Sequence, residues 1–242
     1  MQIADAPVRH FQSVDSTNTK AERLFVGGER GPLWVLADEQ TDGRGRLGRK
    51  WYSDPGNLYC TLLLQRAAPA TYLPQVSFVV ALAVHDAVSK VCGPDLVKLK
   101  WPNDVLLMGG KVSGILCEVL GQGGLAIGCG INIAHSPQAV PYPSSHVAEF
   151  AREATVQCAF DAYRKALANR WTQFETEGFA SIIRDWEARA AHLNKPMVAR
   201  LPKQTIDGIF RGLAPDGAMR LEKSDGTIEI IYAGDVGPLT RA

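Results

Sequence analysis

This sequence lacks the marks of an export signal or a membrane anchor. Met1 to His10 hold no apolar run of the kind a secretory signal carries. No uninterrupted apolar stretch approaches the roughly 20 residues that a membrane helix needs. The five cysteines, Cys60, Cys92, Cys117, Cys129 and Cys158, are odd in number and form no C-x-x-C pair. Each sits in an apolar, strand-like or helix-like setting, the pattern of reduced core thiols, so a cytoplasmic location is expected. His10, His85, His135, His146 and His192 show no paired-ligand spacing, which argues against a metal cluster. Charge of one sign is missing too: 26 basic and 25 acidic residues leave a formal net charge of +1. That balance lacks the basic excess of a duplex-DNA binder, and neither nucleic acid nor membrane is expected as a partner.

What is present fits a globular chain of 242 residues, 46% hydrophobic and 21% charged, long enough for one large core or one domain plus an appendage. Thr19-Lys20-Ala21-Glu22 has the T-x-x-E capping pattern, and a short helix through Phe25 should end at Gly27-Gly28. Leu33–Ala37 and Leu58–Leu64 read as buried strands, with a Gly-, Arg- and Asp-rich loop between them. Val76–Val91 reads as a helix packed deep against a sheet. Leu96–Trp101 is a strand, Val105–Met108 and Val112–Leu120 form a hairpin around Gly109-Gly110, and Leu125–Ile133 is a further strand. After a loop with Pro137, Pro141 and Pro143, apolar residues recur at helical spacing (Val156, Phe160, Tyr163, Leu167, Trp171, Phe174), and the helical region runs to about Ala190 with a break at Gly178. From Lys195 three short β runs, Ile206–Leu213, Ala218–Lys223 and Ile228–Ala233, are separated by Pro215-Asp216-Gly217 and Asp225-Gly226. The expected fold is therefore α/β (α+β): a mixed or antiparallel sheet with packed helices over residues 1–190. A small SH3-like β-barrel over residues 191–242 should follow it.

The most informative stretch runs from Asp38 to Trp51. Gly43, Gly45 and Gly48 satisfy G-x-G-x-x-G, but a dinucleotide-binding glycine loop opens a helix and has an acidic residue about 20 positions on. Here the loop leads towards a strand, and no Asp or Glu lies between Pro55 and His85, so that reading is rejected. What remains is a flexible loop presenting Arg44, Arg46, Arg49 and Lys50. Glycines let a backbone approach a ligand closely, and guanidinium forks match carboxylate and phosphate oxygens. Such a loop suits bringing two anions together, such as a carboxylic acid and a nucleoside triphosphate. Alone, it serves equally as a solvated basic loop or a nonspecific nucleic-acid patch.

A second stretch, Lys100-Trp101-Pro102-Asn103-Asp104, places an amide and a carboxylate at a strand exit, where a nucleotide or Mg²⁺ could be held. Lys111 follows the hairpin turn and could project its charge into the same cleft, with Gly114 allowing close approach. Taken in isolation, these residues read more readily as a turn and an exposed lysine. Ser16-Thr17-Asn18, just before the first helix, could be simple N-caps. Gly128-Cys129-Gly130-Ile131-Asn132-Ile133 could be a strand passing close to a ligand, or a bulged core strand.

Together and in this order, these segments resemble the biotin–protein ligases. That family shows an S-T-N start, Q-x-x-G-R-G-R-x-G-R-x-W, K-W-P-N-D, K-x-x-G-I-L and G-I-N. The matching residues here are Ser16-Thr17-Asn18, Gln40 through Trp51, Lys100 through Asp104, Lys111 through Leu116, and Gly130-Ile131-Asn132. The β-rich tail fits the family's small last domain. The resemblance implies an enzyme with ATP and Mg²⁺ as co-substrate that forms biotinyl-5′-AMP and transfers biotin to a lysine of a biotin carboxyl carrier protein. It also allows a homodimer. Only 15 residues precede Ser16, so the type without a helix-turn-helix domain is expected.

Carried over residue by residue, the resemblance implies that Ser16, Thr17, Asn18 and Gln40 bind biotin's ureido group. Gly43, Arg44, Gly45 and Arg46 would wrap the acyl-phosphate, with Gly114 beside biotin. Lys111, Arg46 and Arg44 form the catalytic set. Arg46, Arg49, Trp51, Asn103 and Asn132 would contact ATP, and Asp104 would meet Mg²⁺ or pyrophosphate. A lipoate–protein ligase shares fold and adenylation chemistry but would lack the arginine loop and K-W-P-N-D as they stand here. A non-catalytic biotin sensor would keep the pocket without the chemistry.

Overall fold

The computed structural model describes residues 3–65, 72–121 and 123–239. A seven-stranded mixed sheet contains β1 (Val8–Val14), β2 (Leu33–Gln40), β3 (Leu58–Gln65), β4 (Val97–Lys100), β5 (Asp104–Leu107), β6 (Gly110–Leu120) and β7 (Gly124–Ile131). Its order is β1-β2-β3-β7-β6-β5-β4, with β1 parallel to β2 and every other pairing antiparallel. Among the described residues four α-helices accompany it: α1 (Thr17–Val26), α2 (Leu73–Cys92), α3 (Val156–Glu177) and α4 (Phe179–Glu187). The C-terminal part is a five-stranded antiparallel sheet: β8 (Pro196–Arg200), β9 (Thr205–Leu213), β10 (Met219–Glu222), β11 (Ile228–Ile231) and β12 (Asp235–Pro238), in the order β11-β10-β9-β8-β12.

Strand alternation divides the large sheet into two unlike faces. Trp34, Leu36, Leu58, Cys60, Leu62, Leu64, Leu125, Ile127, Cys129 and Ile131 point to one side and join α2, α3 and α4 in the main core. Leu33, Val35, Leu63 and Ala126 point to the other, where α1 covers them with Ala21 and Phe25. Helix α1 is only ten residues long, so part of this second face is left to loops. That uncovered part is where the site lies.

Helix α2 has the length and composition of a membrane span, yet Val76 and Phe78–Val84 are buried in the core. On its next turn Asp86 accepts a 2.6 Å bond from Arg170 of α3, which also binds Asp185 of α4 at 2.5 Å. It is a core helix.

Several sequence expectations are corrected. Helix α1 starts at Thr17, with Ser16 as N-cap, rather than at Thr19. The first free N–H, that of Thr17, is satisfied by the Gln40 side chain from the end of β2, 23 residues away, which a local T-x-x-E pattern does not reveal. The hairpin turn is Met108-Gly109, both at positive φ (48° and 82°), while Gly110 already belongs to β6. Gly110 is small for another reason: a Cβ there would stand 2.8 Å from Ser145 of the Pro-rich loop. Cys158 is exposed rather than in the core, since it falls two residues beyond Val156 and off the Val156–Phe160–Tyr163 stripe. Strands β1, β8 and β12 have no clear apolar alternation; β1 is largely exposed, and β8 and β12 contain proline.

The two sheets share one core. Phe78, Trp186 and Phe210 form an edge-to-face series, with centroids 5.3 and 6.4 Å apart, running from α2 through α4 to β9. Trp101 donates its indole N–H to the Gly217 carbonyl at 3.0 Å. Leu99 of β4 exchanges both backbone hydrogen bonds with the segment entering the second sheet, accepting from Ala191 and donating to Arg189.

Candidate functional site

On the open face, polar side chains from four elements form one hydrogen-bonded series. Gln40 takes Thr17 N and Thr17 Oγ1 on its Oε1, at 2.8 and 3.1 Å. Its Nε2 donates to Ser53 Oγ at 2.9 Å, which fixes the sense of the amide. Thr61 of β3, fully buried, lies 2.9 Å from the Thr17 hydroxyl and donates to Asn18 Oδ1 at 2.6 Å. Asn18 Nδ2 then donates to Leu116 O at 3.1 Å and Glu118 Oε2 at 2.6 Å, both on β6. Ser16, Thr17 and Asn18 are each under 5% exposed, so their polar atoms have no bulk water to fall back on, and for Thr17 and Asn18 the geometry is set by these partners.

The floor beneath is made by glycine. On β7 the residues facing this side are Gly124, Ala126, Gly128 and Gly130. A Cβ at Gly128 would stand 2.2 Å from Asn18 Oδ1, and one at Gly130 would stand 2.4 Å from Trp51 Nε1. Gly114, directly opposite Gly130 on β6, would meet the same indole at 3.0 Å. Trp51 therefore lies flat across a two-strand glycine pair. Among the described residues its buried Nε1 has no hydrogen-bond partner, a deficit of about 1–3 kcal/mol that an acceptor on a ligand would remove.

Lys111 and Gly114 are three residues apart and should face opposite sides of a regular strand. Both meet Trp51, because the β5–β6 register shifts between Val105 and Leu106, opposite Ser113 and Lys111. Such a bulge re-aims one side chain, here the lysine. Lys111 Nζ is 2.6 Å from Asp104 Oδ1 and sits 5.6 and 5.5 Å from the ring centroids of Trp51 and Tyr142. The Pro-rich loop holds this arrangement: Lys111 N donates to Pro143 O, and Ser145 N donates to Lys111 O. Asn132, 2% exposed, directs its amide to Ser145 O and Lys111 O, so it braces that loop against β6.

The arginine loop closes as a small turn. Trp51 N donates to Gly43 O, Gly45 N donates to Arg49 O, and Leu47 stands at the tip, 85% exposed with φ 57°. Each of its three arginines has a polar partner. Arg44 Nη2 reaches both Glu118 oxygens at 3.1 and 3.2 Å. Arg46 Nη1 donates to Asn103 Oδ1 at 3.3 Å, while Asn103 Nδ2 holds Ile115 O of β6. Arg49 turns instead to Asp235 of β12, 3.8 Å away and well exposed.

Three cations thus converge with two carboxylates: Arg44 with Glu118, Lys111 with Asp104, and half-buried Arg46 with an amide oxygen alone. Among the described residues no carboxylate comes within ion-pair distance of Arg46. Burial draws its pKa down, Asp104 opposing at longer range and Arg49 adding to the shift. A partly desolvated, unpaired guanidinium is a site waiting for an anion.

The structure thus gathers Ser16, Thr17, Asn18, Gln40, Gly43, Arg44, Arg46, Trp51, Asn103, Asp104, Lys111 and Gly114 on one face, with Asn132 behind them and Arg49 at the margin. Sequence reasoning missed Ser53, Thr61, Glu118 and Tyr142, which belong to no motif quoted above. A separate, almost wholly apolar cavity of about 270 Å³ lies on the opposite face, between α2, Ile131, Ile133 and the start of α3, away from these groups.

Residues 10–132 match the family described as "Biotin/lipoate A/B protein ligase family", and residues 192–236 match "Biotin protein ligase C terminal domain". The chain is 41% identical to a biotin–[acetyl-CoA-carboxylase] ligase of Paracoccus denitrificans over 233 residues, 92% of this chain and 96% of that protein. It is 31% identical to the bifunctional ligase/repressor BirA of Escherichia coli over 97% of this chain and 75% of that one. Among solved structures, the biotin protein ligase from Aquifex aeolicus in complex with biotin and ATP superposes with a TM-score of 0.82 at 28% identity, covering 96% and 97% of the two chains.

Proposed function

The chain belongs to the biotin/lipoate A/B protein ligase family, and we propose that it acts there as an ATP-dependent biotin–protein ligase serving an acetyl-CoA carboxylase carrier. The observation that carries this reading is the convergence of Arg44, Arg46 and Lys111 on one glycine-floored pocket with a carboxylate too few.

The reaction has two steps. A biotin carboxylate oxygen bonds to the α-phosphorus of ATP as the bond to the pyrophosphate oxygen breaks, leaving biotinyl-5′-AMP and pyrophosphate. A neutral lysine amine of the carrier then attacks the acyl carbon; the amide forms, the bond to AMP breaks and the amine loses its proton. Neither step needs a nucleophile from the enzyme, so catalysis rests on positioning and charge stabilisation. The Gln40–Thr17–Asn18 series, with Ser16 beside it, offers donors and acceptors of fixed sense for the ureido group. Gly45 leaves room for the chain and acyl-phosphate, while Gly43 and Gly114 let Ser53 and Trp51 close in beside them. Lys111 and Arg46 would meet the charge that develops between carboxylate and α-phosphate. Trp51, with its unpartnered Nε1, is the platform for the adenine base; Asn103 and Asn132 act through Arg46 and the Lys111 backbone.

No group of three or more metal-ligating side chains occurs among the described residues. Mg²⁺ commonly takes only one or two carboxylates from a protein when triphosphate oxygens supply the rest, and Asp104 beside Lys111 fits that use. Bound there, the ion would neutralise phosphate charge. Five unpaired cysteines suit a reducing, cytoplasmic setting.

Biotin-dependent exchange of labelled pyrophosphate into ATP, with lipoate as control, tests the reading. Exchange that needs biotin is the expected result. Exchange driven by lipoate would move the substrate class, and tight biotin binding with no exchange would make the protein a sensor.

A further inference from the structure

Glu118 is absent from every motif that drew attention to the site, yet it occupies a junction within it. Its carboxylate takes the Asn18 amide at 2.6 Å and the Arg44 guanidinium at 3.1 and 3.2 Å. The two contacts differ in kind. Asn18 is held on every side: Nδ2 also binds Leu116 O, Oδ1 takes the Thr61 hydroxyl, and Gly128 leaves no slack beneath it. Glu118 is therefore held on the β6 side by a short bond to a fixed amide. The Arg44 contact is longer, runs through one nitrogen and is about one-third exposed on both partners, so it is the one that exchanges easily.

We propose that Glu118 is a positioning residue: its carboxylate parks Arg44 across the mouth of the pocket until a ligand's acid group replaces it as the guanidinium's partner. The proposal rests on the ligase reading for the nature of that acid, a carboxylate or acyl-phosphate. The clasp ties the arginine loop to the sheet in the free protein, and it competes with the ligand for the same cation. Losing the charge on Glu118 should therefore loosen the empty loop and strengthen ligand binding together. A residue that touches biotin, or one that merely supports the fold, would not give this pairing.

Glu118→Gln keeps an acceptor for Asn18 and removes the charge that holds Arg44. In the ligand-free protein, thermolysin cleavage at the exposed loop tip, Leu47, should accelerate at least threefold; at saturating biotin it should return to the wild-type rate. Biotin affinity by calorimetry should rise about two- to fivefold. Arg44→Gln breaks the same clasp from the other end and should speed cleavage equally, and in that background Glu118→Gln should change neither quantity further. Unchanged cleavage in Glu118→Gln, weaker biotin binding, or effects that add in the double variant would each overturn the proposal. Cleavage in the free protein is readable whether or not the wild type performs biotin-dependent pyrophosphate exchange, so failure of the clasp and failure of the ligase reading are told apart.

Discussion

Trp51 rests against Gly130, with its indole nitrogen 2.4 Å from where a Cβ would be, and the facing strand supplies a second glycine, Gly114, under the same ring. The aromatic platform and the bare strand are thus one feature. Gly130→Ala must lift the indole or distort β7, an overpacking cost of about 1–3 kcal/mol. The expected outcome is a lower thermal midpoint together with a raised KM for ATP. Gly121→Ala, where nothing lies within 4 Å, should alter neither. A Gly130→Ala protein with unchanged ATP kinetics would separate Trp51 from the nucleotide.

Lys111→Ala tests transition-state stabilisation. If the ammonium meets charge that builds up during attack, single-turnover adenylation at saturating biotin and ATP should fall strongly while calorimetric biotin affinity changes much less. Loss of affinity with a normal saturated rate would make Lys111 a ground-state clamp.

Arg46→Ala should separate chemistry from folding. The residue lies in the loop rather than the core, and among the described residues its hydrogen-bond partner is the Asn103 oxygen. Losing a charge-assisted contact to phosphate should cost adenylation about 1.5–3 kcal/mol, roughly ten- to a hundredfold or more in rate, with the thermal midpoint almost unmoved. A large stability loss with normal pyrophosphate exchange would remove Arg46 from the catalytic set.

The Arg170 network predicts an acid limit on stability. For Asp86 and for Asp185, burial alone would raise the pKa, but hydrogen bonds and the Arg170 charge outweigh it, with His85 and Gln173 helping, so both lie below the ordinary value. Folded carboxylates with depressed pKa values contribute stability above their unfolded pKa of about 3.9 and lose it as pH falls through the folded values. Unfolding free energy should thus fall below about pH 4, and Arg170→Met should flatten that part of the profile while costing about 2–3 kcal/mol at neutral pH, under the ~3–5 of a fully buried pair. Denaturant titrations of both proteins from pH 3 to 7 decide it.

The parts legible in the sequence were those whose chemistry is local. The arginines could be read because glycines accompany them, and the large elements because Val76–Val91 and Val156–Phe174 carry their periodicity openly. What escaped depends on sidedness and distance. Glu118 and Thr61 look like ordinary strand residues until β3, β6 and α1 are brought together around Asn18. Lys111 and Gly114 are read together from the sequence, but the bulge that puts both on one face is a property of the β5–β6 pairing. Thr19 drew the helix start because its pattern is local, whereas the true start is set by Gln40 from another strand. Strand β1 follows the same logic: its mostly polar run gains its place from parallel pairing with β2, from Val8 opposite Trp34 to Val14 opposite Gln40.

The pair of backbone bonds between Leu99 and the segment Arg189–Ala191 bears on how the protein could be recombined. A chimera joined at residue 190, where the sequence texture suggests a seam, would keep the Leu99–Arg189 bond within one parent and make the Ala191–Leu99 bond between the two. Leu99 itself lies on the strand leading into Trp101, whose indole is bonded to Gly217 of the second sheet. Exchanging the C-terminal sheet would therefore shift the strand that delivers Asn103 and Asp104 to the pocket. A graft that respects this geometry takes α4 and β4 with the sheet they pair to, and treats the chain's two sheets as a single inherited unit.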